Sequence, residues 1–194
     1  MKDDGLMFVI SGPSGAGKGT VVKELVKKDN IEVSISATTR KAREGEIDGV
    51  HYHFISTEQF KKMIDENDFL EYAQYCENFY GSPRKQAEEW TKQGKDVIFE
   101  IEVQGCEQIK KNNPDCVTIF IMPPSMEVLE KRLRGRGTEK DEEVIQRRLA
   151  RAKEEILKAP EYDYVVINGP IEECVDDVLS IINAEKLKAK RFRF

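Results

Sequence analysis

A chain of 194 residues with 39% hydrophobic and 35% charged residues predicts one compact α/β unit with insertions and an ordinary core. Its formal net charge of -5 argues against a general nucleic-acid binder, which needs a broad basic surface. No apolar stretch is long enough to span a membrane, and the polar residues 1–5 do not resemble a signal peptide, so we expect a cytoplasmic protein with no membrane partner. The four cysteines show no C-x-x-C spacing, which predicts reduced, mostly buried thiols.

The first predicted element is a short strand over residues 6–11, followed by a glycine-rich turn at 12–20 and a helix over about 19–29. Strand, glycine-rich turn and helix in this order are the context that a phosphate-binding P-loop requires. The glycines let consecutive backbone N–H groups face an anion at the positive end of the helix, and Lys18 supplies a mobile charge for the outer phosphates. The plain alternative is a glycine-rich turn that happens to contain a lysine, and the flanking elements argue against it.

Residues 38–94 interrupt the alternation of strands and helices. They contain charged turns, a strand at 50–55, a helix at 57–66, an aromatic-rich strand at 69–75 and a turn at 81–83. We interpret this region as a small α+β insertion with a partial core of its own, because it does not read as another βα unit.

The rest of the chain alternates, as expected for a parallel sheet between two layers of helices. Continuous β-branched runs predict further buried strands at 33–37, 96–102, 116–122 and 164–168. Helical patterns lie at about 104–112, 125–134, 141–158 and 171–190. Residues 135–140, with glycines beside arginines, predict a mobile loop that moves positive charge. The sequence therefore predicts an α/β fold of three layers with a central parallel sheet, the small insertion and a helical lid.

Arginines occur in two groups along the chain. The first includes Arg40 and Arg43, and the second includes Arg132, Arg136 and Arg148. Phosphoryl transfer between two polyphosphates brings much negative charge together, and positioned cations then carry most of the catalysis. The alternative is a set of solvated helix faces with ion pairs between successive turns.

Three glutamates stand out on the predicted strands. Glu100 and Glu102 are separated by one residue, so on a strand they would project from the same face at its carboxyl end. Carboxylates there can accept hydrogen bonds from a base or hold the water shell of a magnesium ion, and the alternative is charge exposed where the strand leaves the sheet. Strand alternation places Glu71 on one face with Phe69 and Ala73, so this acid needs a partner.

The signals for a protein metal site are weak. Gly19, and not Ser or Thr, follows the lysine of the glycine-rich turn, which displaces the metal-reaching hydroxyl to Thr20. We therefore assign no certain metal ligand and keep two candidates, Thr20 directly or Glu100 through a water molecule. His51 and His53 lack a supporting cluster, so we treat them as surface or packing residues.

In this order, the motifs resemble those of guanylate kinases, and the resemblance covers about residues 5–188. The matching segments are 11–18 (SGPSGAGK), 36–40 (SATTR), 43–52, 69–72 (FLEY), 80–82 (YGS), 100–105 (EIEVQG), 123–125 (PPS), 135–138 (GRGT), Arg148 and 162–168 (YDYVVIN). Several of them are specific to the family, unlike the P-loop alone.

This resemblance implies a kinase of three parts. The P-loop core would comprise residues 1–35, 94–125 and 159–194, the GMP-binding insertion 36–93 and the lid 126–158. It also implies the reaction ATP + GMP to ADP + GDP in purine nucleotide metabolism, with Mg²⁺ accompanying ATP and with GMP or dGMP as acceptor. It implies no nucleic-acid partner, and we leave a homo-oligomer open.

By the same resemblance, three sets of residues are assigned roles. The catalytic set would be Lys18, Arg43, Arg136 and Arg148. The ATP-binding set would be Gly12, Pro13, Ser14, Gly15, Ala16, Gly17, Lys18, Gly19, Thr20, Arg132 and Asn168. The GMP-binding set would be Ser36, Arg40, Arg43, Tyr52 and Tyr80 at the phosphate, with Glu71, Ser82 and an acid of the Glu100 and Glu102 pair at the guanine.

The chemistry of the base agrees independently with an acidic pocket. Guanine offers two donors, N1–H and N2–H₂, which match carboxylate acceptors, whereas adenine presents an acceptor at N1 that a carboxylate would repel. A site built for such hydrogen bonds rejects the wrong base strongly. The acids therefore argue against an AMP kinase.

The chain departs from the family pattern in several places. Gly19 replaces the common serine, Glu100 and Glu102 stand where some members carry aspartate, and Gly-Pro follows Asn168 in place of aspartate. The lid segment is one residue longer, so that Arg147 and Arg148 could exchange roles. The alternative function is a catalytically silent guanylate-kinase-like binding module. Such modules typically lose the P-loop lysine or the phosphate-side arginines, and both are intact here.

Overall fold

The computed structural model describes residues 4–135 and 141–192, and within them the chain forms nine strands and seven α-helices. The strands are β1 (Met7–Ser11), β2 (Ile31–Val33), β3 (Ala37–Thr38), β4 (His53–Phe54), β5 (Phe69–Tyr75), β6 (Asn78–Pro83), β7 (Asp96–Glu100), β8 (Val117–Met122) and β9 (Tyr164–Ile167). The helices are α1 (Lys18–Leu25), α2 (Thr57–Asp65), α3 (Arg84–Lys92), α4 (Val103–Asn112), α5 (Met126–Gly135), α6 (Glu142–Ile156) and α7 (Ile171–Lys186). Short 3-10 helices occupy Ala159–Glu161 and Ala189–Arg191.

The central sheet has five parallel strands in the order β2-β7-β1-β8-β9. Alternate residues of β1 enter two different cores, because successive side chains of a strand point to opposite faces. Phe8 and Ile10 pack with residues of α1 and α7 on one face, whereas Val9 packs with β7 and α4 on the other. The predicted three-layer α/β arrangement is therefore confirmed.

A second, smaller sheet has the order β4-β3-β6-β5 and is mostly antiparallel. Its core is aromatic: the ring of Phe60 from α2 stacks on Phe69 at 4.4 Å and on Phe79 at 5.4 Å between centroids. This small α+β unit is the insertion expected between the second and third strands of the central sheet.

Helices α5 and α6 pack against each other through Leu129, Leu133, Ile145 and Leu149. A Cβ added to Gly15 would lie 2.9 Å from methyl groups of Leu129 and Leu133, so the glycine-rich turn rests directly on α5. The loop predicted at 135–140 falls, apart from Gly135, outside the described residues. No helix in the described part of the chain is long and apolar enough to cross a membrane.

Three expectations about elements are wrong, and one helix was missed. The strand at 33–37 is two strands of different sheets, because β2 pairs with β7 and the chain then crosses to pair β3 with β6. The strand at 50–55 is reduced to His53–Phe54. The turn at 81–83 is instead the end of β6, which the antiparallel partner β5 extends through Pro83. Helix α3 was not predicted, because it buries only Ala87 and so lacks a clear apolar periodicity.

Several element ends also differ from the prediction. The strand predicted over 96–102 ends at Glu100, α1 ends at Leu25 and α7 ends at Lys186. The shorter strand matters most for function, because it separates two acids that were expected on one strand face.

Candidate active site

The glycine-rich turn joins β1 to α1 in the left-handed backbone geometry that glycine favours. Gly15 has φ +92° and Gly17 has φ +95°, and Gly17 is the N-cap of α1. A left-handed backbone is costly for residues with a Cβ. The turn therefore depends on glycine at these two positions, as expected for a loop that presents its N–H groups to an anion.

Lys18 lies folded over this turn. Its ammonium group donates to the carbonyl oxygen of Gly12 at 2.5 Å and approaches that of Pro13 at 3.4 Å, and the residue is 9% exposed. The buried charge is thus held by two backbone carbonyl groups of the loop.

Two residues from distant parts of the chain brace the end of the turn. The Asn168 amide donates to the Ala16 carbonyl oxygen at 2.7 Å. Arg132 donates to the same oxygen at 3.1 Å and to the Asn168 carbonyl at 2.9 Å. A Cβ on Gly17 would overlap the Asn168 amide, which is a second reason for glycine there. The structure therefore brings Arg132 and Asn168 together at the loop, as positioning groups for its backbone.

Of the two candidate lid arginines, one faces the loop. Arg148 of α6 donates to the Ser14 hydroxyl at 2.7 Å, whereas Arg147 is exposed. This geometry favours Arg148 over Arg147 for the predicted role. Arg136, the other lid arginine of the predicted catalytic set, lies outside the described residues.

Arg40, Glu46, Tyr52 and Tyr80 form a cluster in the insertion, which we call the clamp. The Arg40 guanidinium makes a two-pronged ion pair with Glu46, at 2.8 and 2.9 Å, and stands 5.5 Å from the centroid of the Tyr52 ring. The Tyr52 and Tyr80 rings meet edge to face at 6.0 Å. Three of the five residues predicted to hold the GMP phosphate are thus in one cluster.

Glu46 organises this clamp and was not among the predicted site residues. The Arg40 guanidinium, together with the Arg43 backbone N–H at 2.7 Å, lowers the pKa of the Glu46 carboxyl to about 2. The same ion pair raises the pKa of Arg40. The signal that could have found Glu46 is its place in the family-like segment 43–52, since an acid among phosphate-binding arginines requires an explanation.

The other two residues predicted to hold the GMP phosphate, Ser36 and Arg43, are not part of this cluster. Ser36 is half-buried and its backbone carbonyl accepts from the His53 N–H at 2.9 Å. The Arg43 side chain is exposed, and its backbone contributes through Glu46. The His51 ring accepts from the Ile47 N–H at 3.0 Å, which is a structural role within the loop.

A buried acid lies where the insertion meets α4. Glu71 is 7% exposed, and the Ser82 hydroxyl donates to its Oε1 at 2.7 Å. Burial raises the pKa of the Glu71 carboxyl, and hydrogen bonds from Ser82 oppose that shift only in part. The partner that this acid requires is therefore Ser82, the next residue of the predicted guanine set.

Glycine at 105 makes room for the same acid. A Cβ on Gly105 of α4 would lie 2.9 Å from the Glu71 Oε2 atom, closer than real Cβ contacts allow. A register shift in the pairing of β5 with β6 between Phe69 and Glu71 also breaks the expected alternation. Glu71 therefore does not share a simple strand face with Phe69, which packs in the core of the insertion.

Glu100 and Glu102 lie in different surroundings, and the expectation of a shared strand face is wrong. Glu100 ends β7, and its Oε1 would be 3.3 Å from a Cβ at Gly19, so it faces the first turn of α1. Glu102 is the N-cap of α4, and its Oε2 lies 3.6 Å from a guanidinium nitrogen of Arg151. The strand cannot continue past Glu100, because Ile101 turns into the core and α4 begins at Val103.

Comparisons with known proteins agree with this geometry. A family model described as guanylate kinase matches residues 5–185. The chain is 50% identical over 191 residues to the guanylate kinase of Carboxydothermus hydrogenoformans, covering 98% of this chain and 93% of that protein. It is 50% identical over 190 residues to the guanylate kinase of Clostridioides difficile, covering 97% and 92%. This chain belongs to the guanylate kinase family.

A solved structure of the family has the same fold. The crystal structure of guanylate kinase from Anaplasma phagocytophilum superposes with a TM-score of 0.78 at 36% identity, over 98% of this chain and 91% of that one. Family membership and the α/β fold predicted from the motifs are therefore confirmed. The roles of individual residues remain predictions, which the geometry above now constrains.

No described group of three or more His, Cys, Asp or Glu residues could hold a metal ion by itself. The two candidate metal contacts of this guanylate kinase-family chain come from different elements: Thr20 is exposed in the first turn of α1, and the carboxylate of Glu100, at the end of β7, lies against Gly19 of that turn. Both offer oxygen, the ligand that Mg²⁺ prefers.

Proposed function

We propose that this chain transfers the γ-phosphoryl group of ATP directly, in line, to GMP or dGMP, giving ADP and GDP or dGDP in purine nucleotide metabolism and GMP recycling. Membership of the guanylate kinase family supports the reaction, and the matched relatives are named as enzymes. The observation that carries the choice of acceptor base is the buried Glu71, held by Ser82 and enclosed by Gly105. A catalytically silent binding module is not favoured, since Lys18, Arg40 and Arg43 are all present.

Carboxylate side chains would recognise the guanine by accepting hydrogen bonds from it. Glu71 accepts from the donor edge of the base, and the Ser82 hydroxyl holds one of its oxygens so that the other can face the ligand. Glu102, at the start of α4, is the second acid of this pocket. Glu100 lies closer to α1, so we assign it to the nucleotide-metal side in preference to the base.

The acceptor phosphate would be held by the clamp. The ion pair with Glu46 fixes the Arg40 guanidinium before substrate arrives, so little conformational freedom is lost on binding. Tyr52 and Tyr80 supply hydroxyl groups, and Ser36 and Arg43 complete the set.

The donor side would be the P-loop, residues 12–20, with Arg132 and Asn168 bracing its backbone. Lys18 neutralises charge on the transferring group, and Arg148 reaches over the loop from α6. Arg43 and Arg136 are the further cations that we assign to the transition state.

Magnesium would enter with ATP. When bound, Mg²⁺ neutralises the charge of the β- and γ-phosphate oxygens. Thr20 and, through water, Glu100 are the residues that would hold it, because their oxygens lie at the first turn of α1. Gly19 has no side chain to ligate the metal, and its missing Cβ leaves room for the Glu100 carboxylate.

The broader proposal is an enzyme of three moving parts: the core 1–35, 94–125 and 159–194, the GMP-binding insertion 36–93, and the lid 126–158. We place it in the cytoplasm, where ATP and GMP are available, with no nucleic-acid partner, and leave self-association to measurement. Closure of the insertion and lid around both nucleotides would exclude water and so suppress ATP hydrolysis.

The test is an ADP-release assay with ATP, Mg²⁺ and each of GMP, dGMP, AMP, UMP and CMP. We expect turnover with GMP and dGMP and little with the others, because only guanine presents two donors to the acids. Absence of GMP-dependent turnover in a folded protein would contradict the proposal and favour the binding module.

A further inference from the structure

One face of α6 contacts both halves of the proposed active site. Arg148, Arg151 and Glu155 are spaced three and four residues apart, so they share a face of the helix. Arg148 reaches the P-loop through Ser14, and Arg151 reaches Glu102 at the start of α4. The helix thus spans from the donor phosphate loop to the acid that we assign to the base.

The Arg151 guanidinium is fixed by its own helix. Its Nε donates to Glu155 Oε1 at 2.8 Å, and the Glu155 side chain is only 10% exposed. The hydrogen bond and the charge of Glu155, and after them the charge of Glu102, raise the pKa of Arg151. Because a guanidinium is planar, anchoring Nε also sets the direction of the Nη2 atom that approaches Glu102.

The Glu102 side chain, by contrast, is not held in place by its own helix. Glu102 is the N-cap of α4, yet its side chain makes no capping hydrogen bond to the helix, and that side chain is 57% exposed. It stands three residues before Gly105, which lies against the buried Glu71. The direction of the Glu102 carboxylate therefore depends on a partner from outside α4, and Arg151 is the partner that the described structure provides.

We propose that Arg151 is a positioning residue, which holds the Glu102 carboxylate ready for guanine from the lid helix α6. The inference rests on the proposed function and names a residue to which that function assigned no role. Arg151 approaches Oε2, and a carboxylate has two oxygens, so Oε1 can accept from the base while the ion pair persists. Because Arg148 lies on the same helix face, base occupancy and the position of the lid over the P-loop become linked.

The expected effect is moderate. The side chains of Arg151 and Glu102 are 46% and 57% exposed, and ion pairs at such exposure are weak. We expect Arg151→Gln to raise the KM for GMP by about two- to five-fold, the range such a pair supports. The kcat and the KM for ATP should change little, since the P-loop contacts of α6 remain.

The matched control is Arg134→Gln. Arg134 lies in the same lid, is 41% exposed and pairs with Glu130 of α5 and Glu142 of α6, and neither partner belongs to α4. It should leave the KM for GMP unchanged. Arg151→Lys keeps the charge without the planar fork and should restore part of the GMP affinity.

A double-mutant cycle with Glu102→Gln decides whether Arg151 acts through Glu102. Arg151→Gln should have no further effect on the KM for GMP in the Glu102→Gln background, while Glu102→Gln leaves the bond between Arg151 and Glu155 intact. The inference would be overturned if the effects of Arg151→Gln and Glu102→Gln on the KM for GMP were additive. It would also be overturned if Arg151→Gln impaired kcat and both KM values alike, or if Arg134→Gln raised the KM for GMP equally. Absence of GMP turnover in the unmodified protein would instead overturn the proposed function.

Discussion

At the scale of single residues, the site depends on charges that are placed before substrate binds. Lys18 is held by loop carbonyls, Arg40 by Glu46, and Glu71 by Ser82. In each case the partner fixes a charged side chain at the position where a nucleotide group is expected. Preorganised charges of this kind need little reorganisation during reaction, which is the main source of electrostatic catalysis.

We expect Lys18→Ala to reduce kcat by about 100-fold or more, because charge on the transferring group is left uncompensated. Steady-state turnover with saturating ATP and GMP measures this. The control is Lys27→Ala, which removes an exposed lysine paired with Glu24 outside the loop. Near-normal turnover of Lys18→Ala would remove the lysine from the catalytic set.

Glu71 gives GMP binding a characteristic pH dependence. The raised pKa means that the carboxyl takes up its proton at a higher pH than the ordinary value of 4.5, and the protonated form is a poorer acceptor for guanine donors. We therefore expect the KM for GMP to rise on acidification before an ordinary glutamate titrates, and the KM for ATP to stay flat. The same shift makes folding stability fall as pH rises from the unfolded to the folded pKa, since the folded state retains the proton longer.

The variant Glu71→Gln should lose both pH effects and weaken GMP more than ATP. Glu77→Gln is the matched control, since Glu77 is exposed in the same β5–β6 hairpin. Equal losses for the two nucleotides, or an unchanged pH profile in Glu71→Gln, would contradict the assignment of Glu71 to guanine.

At the scale of elements, α4 links the base pocket to the core. Its N-cap is Glu102, its first turn contains Gly105 against Glu71, and its buried face packs Cys106 and Ile109 under the central sheet. The start of one helix therefore places two acids relative to each other. A change in this helix should alter GMP binding without touching the P-loop.

Gly105→Ala tests this link. Alanine favours a helix over glycine by about 1 kcal/mol, yet its Cβ would lie 2.9 Å from Glu71 Oε2 and push the carboxylate aside. We expect a several-fold rise in the KM for GMP with an unchanged KM for ATP. Lys111→Ala, at an exposed position of the same helix, is the control and should leave both constants unchanged.

At the scale of the whole molecule, two sheets with separate cores are joined by the chain on either side of the insertion. The parallel sheet carries the P-loop at the end of β1, and the smaller sheet carries Tyr80 and Ser82 on β6. Helix α6 adds a third contact surface through Arg148 and Arg151. We therefore expect the substrates to bind between parts with separate cores, an arrangement suited to closure.

The thiols report on the integrity of the core. Cys106, Cys116 and Cys174 are buried, and burial raises their pKa values to about 11, 12 and 11, whereas Cys76 is exposed. We expect a thiol reagent at neutral pH to label only Cys76 rapidly in the native protein and all four cysteines after unfolding. Mass spectrometry counts the labels, and Cys76→Ser should abolish rapid labelling. Rapid labelling of a second cysteine in the native state would contradict the described core.

The sequence by itself determined the parts of this protein that are local. The P-loop was predictable because its anion-binding groups are backbone N–H groups of consecutive residues, and β1 and the later strands were predictable from continuous apolar runs. The acids at 71, 100 and 102 were singled out as candidates, since charged residues in apolar runs of sequence are conspicuous. Family motifs then supplied the reaction.

Only the tertiary structure decided which of these groups lie together. It separated Glu100 from Glu102, paired Glu71 with Ser82, placed Glu46 on Arg40 and selected Arg148 over Arg147 at the P-loop. It also brought Arg151 to Glu102 across 49 positions of the chain (151 − 102). Such contacts depend on where strands end and how helices pack, and periodicity along the chain does not contain that information.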